Sequence, residues 1–207
     1  MHNKLTANIC IEASPATQNQ AGLGRYTLNL IKNLLLCNSD YNYSVSYNDK
    51  NNAIIPSELT QIKHYSSELS NNWWRLLHAL SYTNKRLIST HYQGIDIFHS
   101  TGHLLTKLDN VRTVFTLHDL IPLLYPSYHK TLNRIFLRVM MPIFLRTADA
   151  IISVSNHTKE DAIKLMQTLD LHYPVGSLVD PKSFKMFNVL TMPTTIFVDS
   201  NGDIFRR

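Results

Sequence analysis

Three short runs constrain the fold of this chain more than any other feature: Ile95-Asp96-Ile97-Phe98-His99-Ser100, Thr113-Val114-Phe115-Thr116-Leu117 and Ala150-Ile151-Ile152-Ser153-Val154-Ser155. Each is short, rich in β-branched or aromatic residues, and apolar on both faces, which suits a strand covered above and below. Leu5–Ala13 and Tyr43–Tyr47 read as two earlier strands. Between the runs lie segments with helical spacing: 25–37, with Leu28, Ile31, Leu34 and Leu35 on one face, then 73–88 behind a cap in Ser70–Asn72, and 131–146, where Pro142 is expected to introduce a kink. A last helix is expected from Asn156 or Thr158 to Met166, with Asn156 as its cap. Strands alternating with helices predict an α/β chain built on a doubly wound parallel sheet. Residues 50–70 are polar and carry no clear pattern.

The 207 residues suffice for one good-sized domain, or for one domain and part of another. The formal charge is +5, and residues 167–207 hold four Lys/Arg and four Asp/Glu, so the excess sits entirely in 1–166. That balance favours an anionic partner, either a phosphate-bearing substrate or a membrane surface. No basic run interleaved with aromatics points to nucleic acid. Cys10 and Cys37, each in an apolar stretch, read as buried free thiols, and no cysteine pattern indicates a disulfide or a metal site. Residues 1–20 hold no continuous apolar core of a signal peptide, and no run is long enough to span a bilayer, so the chain reads as cytoplasmic.

Strand ends locate the candidate chemistry, because ligands of open α/β sheets bind beyond the carboxyl ends of the strands. Val114–Leu117 delivers His118 and Asp119 to such an end, followed by Ile121-Pro122-Leu123-Leu124-Tyr125-Pro126. His118 can hydrogen-bond a sugar hydroxyl, or a phosphate when protonated. His99 ends the preceding strand in His99-Ser100-Thr101-Gly102. Gly22 and Gly24 stand where the first strand hands over to the first helix, where backbone can approach an anion closely. Ser155 stands in Ser153-Val154-Ser155-Asn156-His157-Thr158, as a cleft residue or a helix cap. Lys130, Arg134 and Arg138 recur at i, i+4 with no acidic residue among them, a pattern compatible with peripheral membrane contact. Ile135, Val139, Met140 and Ile143 lie opposite and read as the face that packs on the core. Trp73-Trp74 reads as packing.

Ala21-Gly22-Leu23-Gly24-Arg25-Tyr26-Thr27, the strand running into His118-Asp119 with its Pro-containing loop, and Ala148-Asp149 ahead of Ser153–Thr158 together resemble family 4 glycosyltransferases. The resemblance covers about residues 5–166 and is to the N-terminal, acceptor-side half of the two-domain GT-B fold, and its strongest part, the strand, His118-Asp119 and the Pro-containing loop, is as in mannosyltransferase-like members. It implies sugar transfer from a nucleotide-sugar to a glycan or lipid-linked acceptor, typically with retention of configuration and without a metal or other cofactor. It implies that Gly22, Gly24 and Arg25 face the donor diphosphate, that His118 is the catalytic residue near the transferred sugar, and that His99, Asp119 and Ser155 bind or support substrate. The donor half would be absent, so the chain alone is expected to be inactive.

Residues 167–207 form a second expected unit. Val175–Val179 reads as a strand, 181–187 as a short helix, and 192–205 as a hairpin with its turn at Asp199-Ser200-Asn201-Gly202. Met192-Pro193-Thr194-Thr195 and the hairpin resemble the C-terminal half of thioredoxin-like proteins, without their Cys-x-x-Cys, so thiol exchange is excluded there. Such a join suggests a fusion, a frame error or a chimera, and the tail could also add strands to the first sheet. The other functional readings are a non-catalytic binding or assembly module with a basic membrane-facing helix, and a redox-inactive thioredoxin-like protein.

Overall fold

A computed structural model gives the architecture; it describes residues 7–37, 41–50, 53–125, 131–168, 175–177, 197–198 and 204–205. Seven strands form one sheet: β1 (Asn8–Glu12), β2 (Asn42–Asn48), β3 (Lys63–Ser67), β4 (Ile97–Ser100), β5 (Arg112–Leu117), β6 (Ala150–Ser153) and β7 (Val175–Ser177). Their order is β3-β2-β1-β4-β5-β6-β7, and every pair is parallel. This is the doubly wound arrangement expected from the sequence. The order reverses between β1 and β4, and the crevice beyond their carboxyl ends is the place such sheets offer a ligand.

Central strands are apolar because both faces are covered: Cys10 and Ile11 of β1, Phe98 of β4, and Phe115 and Leu117 of β5 are fully buried. The helices are α1 (Ser14–Thr17), α2 (Ala21–Leu36), α3 (Asn71–Leu80), α4 (Arg86–Ser89), α5 (Ile121–Leu124), α6 (Thr131–Thr147) and α7 (Asn156–Thr168). Phe115 and Leu117 meet Leu137, Met141 and Phe144 of α6 and Ala162 of α7 in one cluster. Ile11 and Val45 meet Ile31 of α2 in another. Burying each such side chain stabilises the fold by roughly 1.5–3 kcal/mol.

Several details differ from the sequence expectation. The polar stretch 50–70 contains β3, a sheet-edge strand whose Lys-His-Tyr-Ser-Ser is only partly covered. The helix expected over 73–88 is two helices parted by a turn at Ser81–Thr83, although Ser70 does cap the first by accepting the Trp73 amide. The loop expected before residue 25 holds α1 and the first turn of α2. Pro15 starts α1 without wasting an amide, since the first helical N–H has no partner in the helix anyway. Asn19, at φ 51°, makes the left-handed turn between them. α6 runs as one helix through Pro142. Cys10 is buried as expected, whereas Cys37, just past the end of α2, is exposed.

β7 lies beyond residue 167 yet pairs with β6, Ile151 opposite Val175 and Ser153 opposite Ser177. The tail thus contributes a strand to the main sheet. Farther on, β8 (Phe197–Val198) and β9 (Ile204–Phe205) form the antiparallel hairpin expected there. The helix expected at 181–187 and the Met192–Thr195 segment lie outside the described residues. No helix among the described residues is long and apolar enough to cross a membrane.

Candidate functional site

Candidate chemistry gathers where the topology reverses, around His118 one residue past β5. The His118 Nε2 lies 2.7 Å from the carbonyl oxygen of Thr101, just past the end of β4. A carbonyl only accepts, so Nε2 carries the hydrogen and Nδ1 presents the lone pair. The Thr158 hydroxyl donates to the His118 carbonyl at 3.2 Å, which ties α7 to the same turn. The Tyr26 ring meets the imidazole edge-on, centroids 5.0 Å apart, and fixes its plane. Burial pushes the His118 pKa below its ordinary value, against the opposing pulls of the Thr101 carbonyl and the Asp119 charge. The ring is therefore neutral near pH 7, which suits acceptance of a hydroxyl proton rather than a salt contact with phosphate.

Buried hydroxyls brace this arrangement. Thr101 Oγ1 donates to the Glu12 carbonyl at 2.6 Å and receives the Thr27 hydroxyl at 2.9 Å, which joins β4 to β1 and α2. The Tyr26 hydroxyl lies 3.2 Å from Thr116 Oγ1, and His99 Nε2 lies 2.9 Å from the same oxygen. His99 is only 8% exposed, and burial lowers its pKa to about 4. It sits inside the sheet–helix layer, one hydroxyl removed from Tyr26.

Glu12, the last residue of β1, is the member of this region that sequence reasoning missed. Its Oε1 accepts the Ser14 amide at 2.9 Å, its side chain is buried, and burial raises its pKa to about 7. A Cβ on Gly102 would stand 3.4 Å from Oε2 and 3.3 Å from Pro15 Cγ, so the glycine leaves the carboxyl its space. The signal in the sequence was a single acid ending an apolar strand, which nothing distinguishes from a solvated residue until its neighbours are known.

The other expected residues divide. Gly22 is exposed, with nothing within 4 Å of a Cβ built on it, and Arg25 on the same turn is exposed as well. At Gly24 a Cβ would meet the Pro15 carbonyl oxygen at 2.7 Å, so its missing side chain admits α1 rather than open space. Asp119 Oδ1 accepts the Ile121 amide at 3.0 Å and opens α5. Ser155, not Asn156, caps α7: its Oγ accepts the Thr158 amide at 3.1 Å. Among the described residues, no Lys or Arg takes part in the bonds around His118, Thr101, Thr116 and Glu12.

With that geometry in place, the sequence model of Glycosyltransferase Family 4 matches residues 21–169, from the first turn of α2 to just past α7. The chain belongs to Glycosyltransferase Family 4. The match contains Gly22, Gly24, Arg25, His99, His118, Asp119 and Ser155, and ends before the tail, so the thioredoxin likeness of that tail has no counterpart in it. Among solved structures, an alpha-glucosyltransferase in complex with UDP-glucose and DNA containing an abasic site is 13% identical, with a TM-score of 0.46 over 84% of this chain and 42% of that one. An alpha-glucosyltransferase in complex with UDP and a 13-mer DNA containing a HMU base is 13% identical, with a TM-score of 0.44 over the same shares. A short-chain dehydrogenase/reductase from Veillonella parvula DSM 2008 is 9% identical, with a TM-score of 0.39 over 73% of this chain and 70% of that one. No curated protein matches the chain. The family 4 chain thus spans less than half the length of the glucosyltransferases it resembles, 42% in each case.

Proposed function

We propose that this family 4 chain supplies the acceptor-side half of a glycosyl transfer, with a nucleotide-sugar as donor and a glycan or lipid-linked glycan as acceptor. The observation that carries the reading is the orientation of His118. Its Nε2 hydrogen is committed to Thr101, so the neutral ring offers Nδ1 to a sugar hydroxyl at the end of the central strands. Gly22 and Arg25, exposed on the first turn of α2, are the groups on that side suited to a diphosphate. Charge argues for a second half. Departure of a nucleoside diphosphate needs stabilised negative charge, and among the described residues the bonds about His118 include no Lys or Arg. Transfer therefore draws on a donor-binding half beyond residues 21–169. Contact with a membrane through Lys130, Arg134 and Arg138 is the partner side of the same reading; Arg134 is half-buried, Arg138 exposed, and Lys130 outside the described residues.

The test is calorimetric titration with a panel of nucleotide-sugars and free nucleotides, followed by transfer assays with a family 4 donor-binding half added. Transfer that needs the added half, and that falls roughly 10²–10³-fold in His118→Ala with an unchanged unfolding curve, is the expected result. Unchanged transfer in His118→Ala would remove the residue from the site. Acceptor binding with no transfer under any combination would leave a binding module.

A further inference from the structure

Glu12 ends β1 beside the point where the strand order reverses, and only 4% of the residue is exposed. Among the described residues only Ser14 bonds its carboxyl, the amide donating to Oε1 at 2.9 Å. Buried polar groups are ordinarily satisfied, and a carboxyl can hydrogen-bond through both of its oxygens. Oε2 lies 3.4 Å from where a Cβ on Gly102 would stand. Gly102 does not adopt a positive φ, so its conformation does not call for glycine; what the missing side chain provides is room beside Oε2. The segment from Thr101 to His103 also ties the carboxyl to His118. The Thr101 hydroxyl donates to the Glu12 carbonyl, and the Thr101 carbonyl receives the His118 Nε2 hydrogen. The His103 ring meets the His118 ring edge to face, centroids 5.8 Å apart.

We infer that Glu12 is a substrate-binding residue, its Oε2 hydrogen-bonding one hydroxyl of the neutral acceptor sugar that offers another hydroxyl to His118. The inference rests on the acceptor reading above and deepens it by naming a residue that selects the sugar. Charge decides the class of ligand. Among the described residues no Lys or Arg bonds Glu12, Thr101 or His118, so a phosphate or carboxylate would meet the carboxyl with no cation to offset the repulsion. A sugar hydroxyl both donates and accepts, and so fits the carboxyl with or without its proton. Both forms are present near neutral pH, because burial raises the Glu12 pKa to about 7.

The experiment is NMR of the full chain with isotope-labelled glutamate and histidine side chains, the two signals identified by their loss in Glu12→Gln and His118→Gln. The probes are methyl glycosides of glucose, galactose and mannose, with inorganic phosphate as the anionic control. At least one glycoside is expected to move the Glu12 and His118 signals together, with a common dissociation constant. Glu12→Gln keeps an acceptor for the Ser14 amide and offers an N–H to the sugar, so binding followed at His118 should stay within about threefold of the parent. Glu12→Ala should weaken it about tenfold, the loss of one hydrogen bond at a buried group. Gly102→Ala fills the room beside Oε2 and should remove the Glu12 response. Its urea midpoint should stay close to the parent's, since the nearest neighbours of the new Cβ stand at 3.3 and 3.4 Å. If Glu12→Ala does not fold, Gly102→Ala carries the same test. A glycoside that moves His118 and leaves Glu12 in place would overturn the inference while the acceptor reading stands. So would a Glu12 signal moved by phosphate and by no glycoside, or sugar binding unchanged in Gly102→Ala. Silence of both signals towards every glycoside would remove the acceptor reading and the inference with it.

Discussion

Glu12 carries a carboxyl into the crevice at the head of β1, and the consequence is measurable as a dependence of stability on pH. Burial raises its pKa from 4.5 to about 7 in the folded chain. Between those values the folded protein holds a proton that the unfolded chain has released, so this residue's contribution is full below pH 4.5 and declines as pH rises towards 7. His99 acts in the opposite direction. Its pKa falls from 6.5 to about 4, so its contribution is present above 6.5 and is lost as pH falls towards 4. The two trends overlap, and only a difference profile separates them. Glu12→Gln keeps an acceptor for the Ser14 amide and removes the titration. It should match the parent near pH 4.5 and exceed it by about 2–3 kcal/mol at pH 8, measured by urea unfolding at a series of pH values. A difference that does not change with pH would mean that the carboxyl is not held away from water.

At the scale of elements, the first turn of α2 separates two glycines that the sequence presents as equivalents. Gly22→Ala meets nothing within 4 Å and adds a better helix former, so it should stabilise by about 0.5–1 kcal/mol. Gly24→Ala drives a methyl to 2.7 Å from the Pro15 carbonyl oxygen, a backbone atom that cannot swing aside, and should cost about 1–3 kcal/mol. Urea midpoints decide both. If Gly22 faces the donor, Gly22→Ala should also weaken nucleotide-sugar binding while the fold grows more stable, a combination packing does not produce. Ser155→Ala removes the Oγ that caps α7 and should cost about 1 kcal/mol. These elements also mark the limit of what the chain discloses unaided. β4, β5 and β6 were legible as short runs rich in β-branched and aromatic residues, and in β5 Phe115-Thr116-Leu117 is buried on both faces. β3 was not, because an edge strand of Lys-His-Tyr-Ser-Ser owes its conformation to β2 rather than to its own residues. The end of α3 was hidden because Ser81-Tyr82-Thr83 has no Gly or Pro. α6 is apolar around most of its surface, so periodicity alone could not tell which stripe faces the core. His118 was legible from its place at a strand end, whereas the threonines that hold it are given meaning only by the partners the sheet brings to them.

At the scale of the molecule, the open question is where the unit built on the main sheet ends. The family 4 match stops at residue 169, but the sheet takes its last strand from Val175–Ser177. β6 has β5 on one side and β7 on the other, and its Ile151 is 3% exposed. Removing β7 would leave the outer N–H and C=O groups of Ala150–Ser153 without strand partners and make β6 an apolar edge, the kind that pairs with other chains. A chain ending at Thr168 should therefore be less stable than one ending just past Ser177 by about 1–3 kcal/mol, at 0.5–1.5 kcal/mol for each backbone hydrogen bond lost. It should also associate as concentration rises, whereas the longer chain should unfold in one transition at a midpoint close to that of the full 207 residues. Urea unfolding at two protein concentrations, with sedimentation velocity beside it, reads both effects. Equal midpoints for the two shortened chains would mean that the tail strand adds nothing to the sheet, and the unit would then end where the family match does. A lower midpoint only for the shorter chain would make β7 part of the glycosyltransferase sheet and place the start of any separate tail unit beyond residue 177.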